Sequence, residues 1–364
     1  MKRLFAGMTA ALLAVILVFS LPVNAISAKS AMLMDCTTGR ILYSKLPDQK
    51  NLIASTTKIM TAIVVCEQCN VLDRVKVPKE AVGIEGSSIY LKEGEVQTVQ
   101  ELLYGLMLHS GNDAAVALAI YCGGTVEGFV AMMNDKAKAL NLVNTHFENP
   151  HGLDGSDHYS TARDLCILAS YAMQNPIFSK ISSTKTIKIG ERYLRNHNKL
   201  LWQLNGADGV KTGYTKSAGR ILVSSAMRAG RRLVAVTIND PDDWDDHCTL
   251  MNEGFQRYKE TKVISENQIL GTAEIAGGQC EKVELLAKEA FSCYLAEYES
   301  IEVRLPSPGF VYAPVAEGQS AGFAQVYLNG NWMRNIPLVY GQTVEMERQI
   351  KPSLWDKLLR GNHT

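Results

Sequence analysis

Ser55-Thr56-Thr57-Lys58 sets a hydroxyl and an amine three residues apart at the start of a stretch with helical periodicity. On a helix that spacing puts both groups on one face, within reach of each other. The helix N-terminus also favours negative charge developing at the serine. A serine hydroxyl is a poor nucleophile until a base takes its proton, and a lysine acts as base only when burial or a second cation lowers its pKa. Two further elements could complete such a centre. Ser110-Gly111-Asn112 falls in the break between two helical stretches, and Lys211-Thr212-Gly213 precedes a β-rich hairpin. Each tripeptide is common by itself. S-x-x-K recurs at Ser182-Ser183-Thr184-Lys185 without a helix start or partners, and that copy reads as a chance match. The weight lies in the ordered triple S-x-x-K, S-x-N, K-T-G, each in a fitting context.

The elements that must hold these groups are legible in part. Ala31 to Met34 and Ile41 to Tyr43, split by Thr37-Thr38-Gly39, predict an opening β-hairpin. Helical periodicity runs from Ser55 to about Gln68, from Thr98 to about Leu108, from Asp113 to Tyr121 and from Val126 to Leu140. Thr98 and Glu101 make a capping box, and Gly123-Gly124 ends the third stretch. Past Gly213, Ile221 to Ala226 and Leu233 to Ile238 predict strands joined at Arg228-Ala229-Gly230-Arg231, followed by a closing helix over Leu250 to Tyr258. Short strands then follow at Lys282 to Leu286, Ile301 to Leu305 and Phe323 to Leu328. The organisation reads as a signal peptide over 1–28, a catalytic domain over 29–262 and a small β-sandwich-like domain over 265–364.

The chain has 364 residues, with 37 basic and 37 acidic side chains, a balance that argues against a nucleic-acid binder. No internal stretch reaches the ~18 apolar residues of a spanning helix. Lys2 and Arg3, the apolar run Leu12 to Leu21, and the small residues of Val23-Asn24-Ala25 or Ile26-Ser27-Ala28 follow the layout of a secretory signal. An uncleaved membrane anchor is the alternative. Removal of 1–28 leaves a net charge of −2 and a protein that works outside the cytoplasm. The eight cysteines form no compact framework. Cys66 and Cys69 make a CxxC with no second half for a zinc site, so they read as packing thiols. The residues leave the disulfide state open.

Beyond the three motifs, Asp35-Cys36-Thr37-Thr38-Gly39-Arg40, Ser110-Gly111-Asn112-Asp113-Ala114-Ala115, Asn149-Pro150-His151-Gly152-Leu153 and Asp208 to Thr215 resemble the low-molecular-mass penicillin-binding proteins. Those are the serine-type D-alanyl-D-alanine carboxypeptidases. The resemblance is strong from residue 30 to about 258 and fainter through Ala313 to Gln319. It implies an α+β penicillin-binding/β-lactamase-like transpeptidase fold, an antiparallel sheet with flanking helices and a helical lobe, followed by the β-domain. It also implies roles: Ser55 as nucleophile, Lys58 as base, Lys211 as the cation that depresses Lys58 and attracts the substrate carboxylate. Ser110 would pass a proton to the leaving amine, and Asn112 would orient the peptide and hold Lys58. Thr212 would bind the carboxylate, beside Gly213, and the backbone N–H groups of Ser55 and Tyr214 would stabilise the oxyanion. The expected reaction removes the terminal D-alanine from peptidoglycan stem peptides through an acyl-enzyme, with β-lactams as covalent inhibitors and no cofactor or metal.

Other residues fit less well. His151, Asp154 and His158 read as a structural loop rather than metal ligands, and His197 and His247 as lone histidines, the former near the cleft that the resemblance implies. Some relatives carry a carboxylate-binding arginine after the second strand of the hairpin. Here Pro241 to Asp246 is acidic, which puts that recognition in doubt. Leu354 to Arg360 suits either a weak peripheral contact with the membrane or a cap on the β-domain. Rival readings are a β-lactamase, disfavoured by the extra β-domain and by Glu148 beside Asn149-Pro150, which matches the carboxypeptidase pattern better, a D,D-endopeptidase, and a non-catalytic wall-binding protein, which intact motifs disfavour.

Overall fold

A computed structural model describes residues 26–306 and 309–347. Most of the expected signal segment and all of Leu354 to Arg360 therefore lie outside the described residues. The chain divides into two compact units, the second beginning at Phe255.

The first unit is built on a five-stranded antiparallel sheet of β1 (Ser30–Asp35), β2 (Ile41–Lys45), β3 (Ala207–Thr215), β4 (Gly219–Arg228) and β5 (Arg231–Ile238). Its order is β2-β1-β5-β4-β3, so the ends of the unit's sequence meet at the sheet centre. Ser30 pairs with Ile238 and Lys211 with Val223. The β1–β2 turn closes because the Asp35 carboxylate accepts the N–H groups of Thr37 and Thr38 at 2.9 and 3.2 Å. The β4–β5 turn uses Ala229 and Gly230, both at positive φ, the twist a tight hairpin needs.

Between β2 and β3 the chain inserts the helices α1 (Lys58–Gln68), α2 (Val99–Leu108), α3 (Asn112–Gly123), α4 (Val126–Ala139), α5 (Ala162–Ala172) and α6 (Pro176–Ser183), and a single helical turn over Leu200–Gln203. Every residue of α1 from Lys58 to Val65 is buried. A helix that is apolar nearly all round belongs in the middle of a core, where each buried Ile or Met contributes about 1.5–3 kcal/mol. The Thr98–Glu101 capping box forms at the start of α2, and Gly124 at φ 75° stops α3. Met32 and Met34 of β1 join the cluster with α1 and α5, while Leu33, on the opposite face, meets Gly254 of α7 (Asp243–Arg257). Helices thus cover both faces of the sheet.

The closing helix starts at Asp243, not Leu250. Asp243, Asp245 and Asp246 fall in its first turn, where carboxylates complement the helix dipole. Most of the acidic stretch Pro241 to Asp246 is therefore a helix start.

The second unit is all-β. Lys259–Ile264 pairs with Phe291–Leu295, and a six-stranded sheet runs in the order Ile301–Arg304, Ser320–Leu328, Asn331–Tyr340, Lys282–Ala287, Ile269–Ala276, Phe310–Tyr312. Val283, Leu285 and Ala287 alternate with more exposed neighbours and share a core with Ile264, Val326 and Ile336. Among the described residues no single helix is long and apolar enough to cross a membrane.

Candidate active site

Ser55 sits in a 3-10 turn, Ala54–Thr57, that runs directly into α1. The turn is forced into place from outside. Ala54 is held at φ 44°, a conformation that disfavours a side chain, and a Cβ on Gly152 would lie 1.9 Å from the Ala54 carbonyl oxygen. On the other side β3 presses in. A Cβ on Gly213 would stand 3.3 Å from the Ser55 nitrogen. Glycine at both positions lets two backbones close on the serine's own.

Lys58 is fully buried, and its Nζ meets three oxygens: Ser55 Oγ at 3.0 Å, Asn112 Oδ1 at 2.6 Å and the His151 carbonyl at 2.5 Å. Burial, then the field of Lys211, pushes its pKa well below the usual lysine range, against the opposing pull of Asp113. A neutral amine has two N–H donors and one lone pair. The two carbonyl oxygens can only accept, so they take both donors, and the lone pair is left facing the Ser55 hydroxyl. The arrangement is that of a base poised on a nucleophile.

The two oxygens are themselves fixed. Asn112 donates from Nδ2 to the Glu85 carbonyl at 2.5 Å, which orients its amide. His151 belongs to a loop held by Asn149, whose Oδ1 accepts the Gly152 N–H at 2.7 Å and whose Nδ2 donates to the Leu153 carbonyl at 2.9 Å. Thr61 of α1 donates to the Pro150 carbonyl at 2.6 Å, tying that loop to the helix. The His151 carbonyl is a site group that sequence reasoning missed, because a backbone oxygen has no residue type to recognise.

Ser110 stands between α2 and α3 at φ 63° and is nearly inaccessible, and its Oγ has no hydrogen-bond partner among the described residues. A strained backbone and a buried, unsatisfied hydroxyl at one residue are features that cluster at functional sites. Lys211 is buried on β3, its Nζ donating to the Thr212 carbonyl at 2.9 Å, and burial holds its pKa down to about 7. Tyr214 is exposed.

These elements enclose a cleft of about 610 Å³ lined by Ser55, Ser110, Thr212, Gly213 and Tyr214. Arg220, Asp243, Trp244 and His197 also line it. Arg220 is opposite Tyr214 in the β3–β4 register, ion-paired with Asp243 and 5.7 Å from the centre of the Trp244 ring. Although Pro241 to Asp246 is acidic, a cation does line the cleft, supplied by β4. Register was the signal that could have found it.

The remaining candidates separate cleanly. His158 accepts the Glu148 N–H at Nδ1, 3.1 Å, so Nε2 carries the proton and donates to Thr57 Oγ1 at 2.7 Å. His247 is buried between Ser224 and Thr237, and burial depresses its pKa to about 3. Glu148 accepts the Asp157 N–H at 3.1 Å and does not line the cleft. Ser182 lies at the end of α6, away from any helix start. Among the described residues no group of three or more His, Cys, Asp or Glu is placed to hold a metal ion. Cys66 and Cys69 pack partly buried against the core, and burial raises the Cys66 thiol to about 12.

Residues 18–242 match the family described as D-alanyl-D-alanine carboxypeptidase. The chain belongs to that family. As a D-alanyl-D-alanine carboxypeptidase by descent it is a serine hydrolase of the penicillin-binding type, and residues 258–346 match the C-terminal domain of penicillin-binding protein 5. It is 33% identical to the D-alanyl-D-alanine carboxypeptidase DacF of Bacillus subtilis, covering 85% of this chain and 84% of the relative. Identity to DacC of Escherichia coli is also 33%, over 93% and 89%. Among solved structures, penicillin binding protein 5 from Haemophilus influenzae superposes with a TM-score of 0.73 at 30% identity, over 88% of this chain and 98% of that one. Penicillin binding protein 6B from Escherichia coli gives 0.72 at 31%, again over 88% and 98%. The α+β carboxypeptidase fold with a trailing β-domain is thereby shown.

Proposed function

We propose that this protein removes the terminal D-alanine from peptidoglycan stem peptides through an acyl-enzyme on Ser55. The observation that carries the reading is the Lys58 amine, whose two donors are consumed by Asn112 and His151 and whose lone pair faces Ser55. Lys58 takes the Ser55 proton as Oγ attacks the carbonyl between the two D-alanines. The oxyanion is held by the backbone N–H groups of Ser55 and Tyr214. Ser110, whose hydroxyl has no hydrogen-bond partner among the described residues, relays the proton to the leaving amine. Thr212 and Arg220 receive the terminal carboxylate, and burial, aided by Lys211, keeps Lys58 unprotonated. D-Alanine departs, and water then hydrolyses the ester. A β-lactam resembles the same dipeptide and acylates Ser55 in its place. The chemistry calls for no cofactor.

The substrate lies outside the cytoplasm, in accord with the signal-like first 28 residues, so the mature protein acts at the outer face of the cell membrane or in the wall. The test is release of free D-alanine from a soluble peptide ending in Lys-D-Ala-D-Ala, with Ser55→Ala as control. Release abolished in the variant supports both the reaction and the nucleophile. A penicillin adduct on Ser55 without release would redirect the assignment to cross-link cleavage, and neither result would leave a wall-binding protein.

A further inference from the structure

A second cavity of about 500 Å³ adjoins the cleft, and His197 lines both. Its wall carries Arg195, Lys199 and Trp202. Trp202 is 43% exposed, with Arg195 5.1 Å and Lys185 5.9 Å from its ring centre. Lys199 in turn lies 5.8 Å from the ring of Trp244, which Arg220 approaches from the catalytic cleft at 5.7 Å. Cations and indoles thus alternate from one cavity into the other. Lys185, Arg195 and Lys199 have no acidic partner within ion-pair distance among the described residues, so their charges are available to a ligand.

The support beneath this wall is rigid. Asn196 is buried and donates from Nδ2 to the Ser182 and Thr184 carbonyls, each at 3.1 Å. Asn198, also buried, donates to the Gly209 carbonyl at 2.8 Å, and the His197 N–H reaches the Leu108 carbonyl at 3.2 Å. Exposed lysines are ordinarily mobile and solvated. Here an anchored segment sets Arg195 over the face of Trp202 and Lys199 over that of Trp244. An indole face suits the C–H face of a sugar ring, and the neighbouring cations suit carboxylates.

We propose that this second cavity is a subsite for the acidic, sugar-bearing part of a peptidoglycan strand whose stem terminus occupies the catalytic cleft. The assignment rests on the carboxypeptidase reading and extends it, from the dipeptide being cut to the polymer that carries it. Continuity with the cleft and the excess of positive charge, which Asp243 beside Arg220 and Lys199 offsets only in part, favour this occupant over an unrelated partner.

The experiment uses the full-length enzyme and two substrates: a short acylated peptide ending in Lys-D-Ala-D-Ala, and uncross-linked glycan strands bearing complete stem peptides. The variant Lys185→Glu/Arg195→Glu/Trp202→Ala keeps its kcat/KM on the short peptide and loses about tenfold on the strands. Added salt lowers the wild-type rate on the strands more steeply than on the short peptide, which meets fewer of the cations. The single variant Arg195→Glu, at an exposed side chain, repeats the test at no risk to packing. Equal losses on both substrates, or none on either, would overturn the subsite. A wild-type enzyme that leaves the short peptide intact would instead sink the carboxypeptidase reading.

Discussion

Asn112→Asp changes the charge beside Lys58 while keeping the shape of the side chain. The Asn112 Oδ1 to Lys58 Nζ distance is 2.6 Å. Two opposite unit charges at that separation attract by about 6 kcal/mol at an effective dielectric constant of ~20. That attraction opposes the burial and the Lys211 field that keep the amine neutral, so it puts the proton back on Lys58. An ammonium has no lone pair for the Ser55 hydroxyl. Since general-base catalysis contributes ~10²–10⁴ in rate, kcat/KM for D-alanine release at pH 7 falls by about 100-fold or more. The sign of the pH dependence is distinctive. Raising the pH removes the extra proton, so activity recovers toward alkaline pH and the acidic limb of the profile moves up. The rate of Ser55 acylation by a β-lactam, followed by mass spectrometry, falls in parallel. Aspartate also loses the bond from Asn112 Nδ2 to the Glu85 carbonyl, so the unfolding midpoint is recorded alongside. A loss of activity that is uniform across pH would refute the lone-pair argument and assign the effect to that lost bond.

Ser110→Ala removes a buried hydroxyl that lacks a partner among the described residues, so the unfolding midpoint stays level or rises while D-alanine release falls; a clear drop in stability would mean the hydroxyl is structural. For His247, burial sets the folded pKa at about 3 against ~6.5 when unfolded. The unfolded chain therefore binds the extra proton between those values. This contribution, on the order of 4–5 kcal/mol, is complete above pH 6.5 and is lost as pH falls toward 3. His247→Gln consequently shows a smaller decline in Tm between pH 7.5 and 4.5 than wild type, and an equal decline would contradict the assignment. Of the two cleavage positions in the N-terminal sequence, the one after Ala25 spares Ser27, whose Oγ donates to Asp240 at 2.6 Å, and the Ile26 carbonyl, which accepts from Lys45 at 2.7 Å. N-terminal sequencing of the exported chain then begins at Ile26; a start at Lys29 would show those bonds to be dispensable.

The site was legible where chemistry is written in residue types and short spacings. Ser55 and Lys58 share one helical turn, so local sequence sufficed to bring them together. Ser110, Asn112 and Lys211 arrive from distant elements, and only their order and resemblance linked them. The His151 carbonyl and Arg220 escaped for a different reason: one is backbone, and the other depends on which β4 residue lies opposite Tyr214. Among the helices, α1 to α4 are legible in the sequence, α1 and α3 as mainly apolar stretches that the fold buries almost throughout. The stretch Ala162–Ala172 was passed over although Thr161 and Asp164 mark its start, the Asp164 N–H bonding Thr161 Oγ1 at 3.1 Å. The start of α7 carries no apolar periodicity over Asp243 to Asp246, and only the fit of its carboxylates to a helix N-terminus marks it.

The Lys58 amine joins three stretches of chain that are far apart in sequence: the first turn of α1, the start of α3 and the loop ending at Leu153. Should any one of them open locally, the amine would be hydrated, take up a proton and cease to activate Ser55. Covalent capture of a fluorescent penicillin would therefore count intact molecules, not merely molecules that contain a serine. In this protein the inhibitor doubles as a gauge of native structure, able to rank variants, temperatures or storage conditions from a single labelled band.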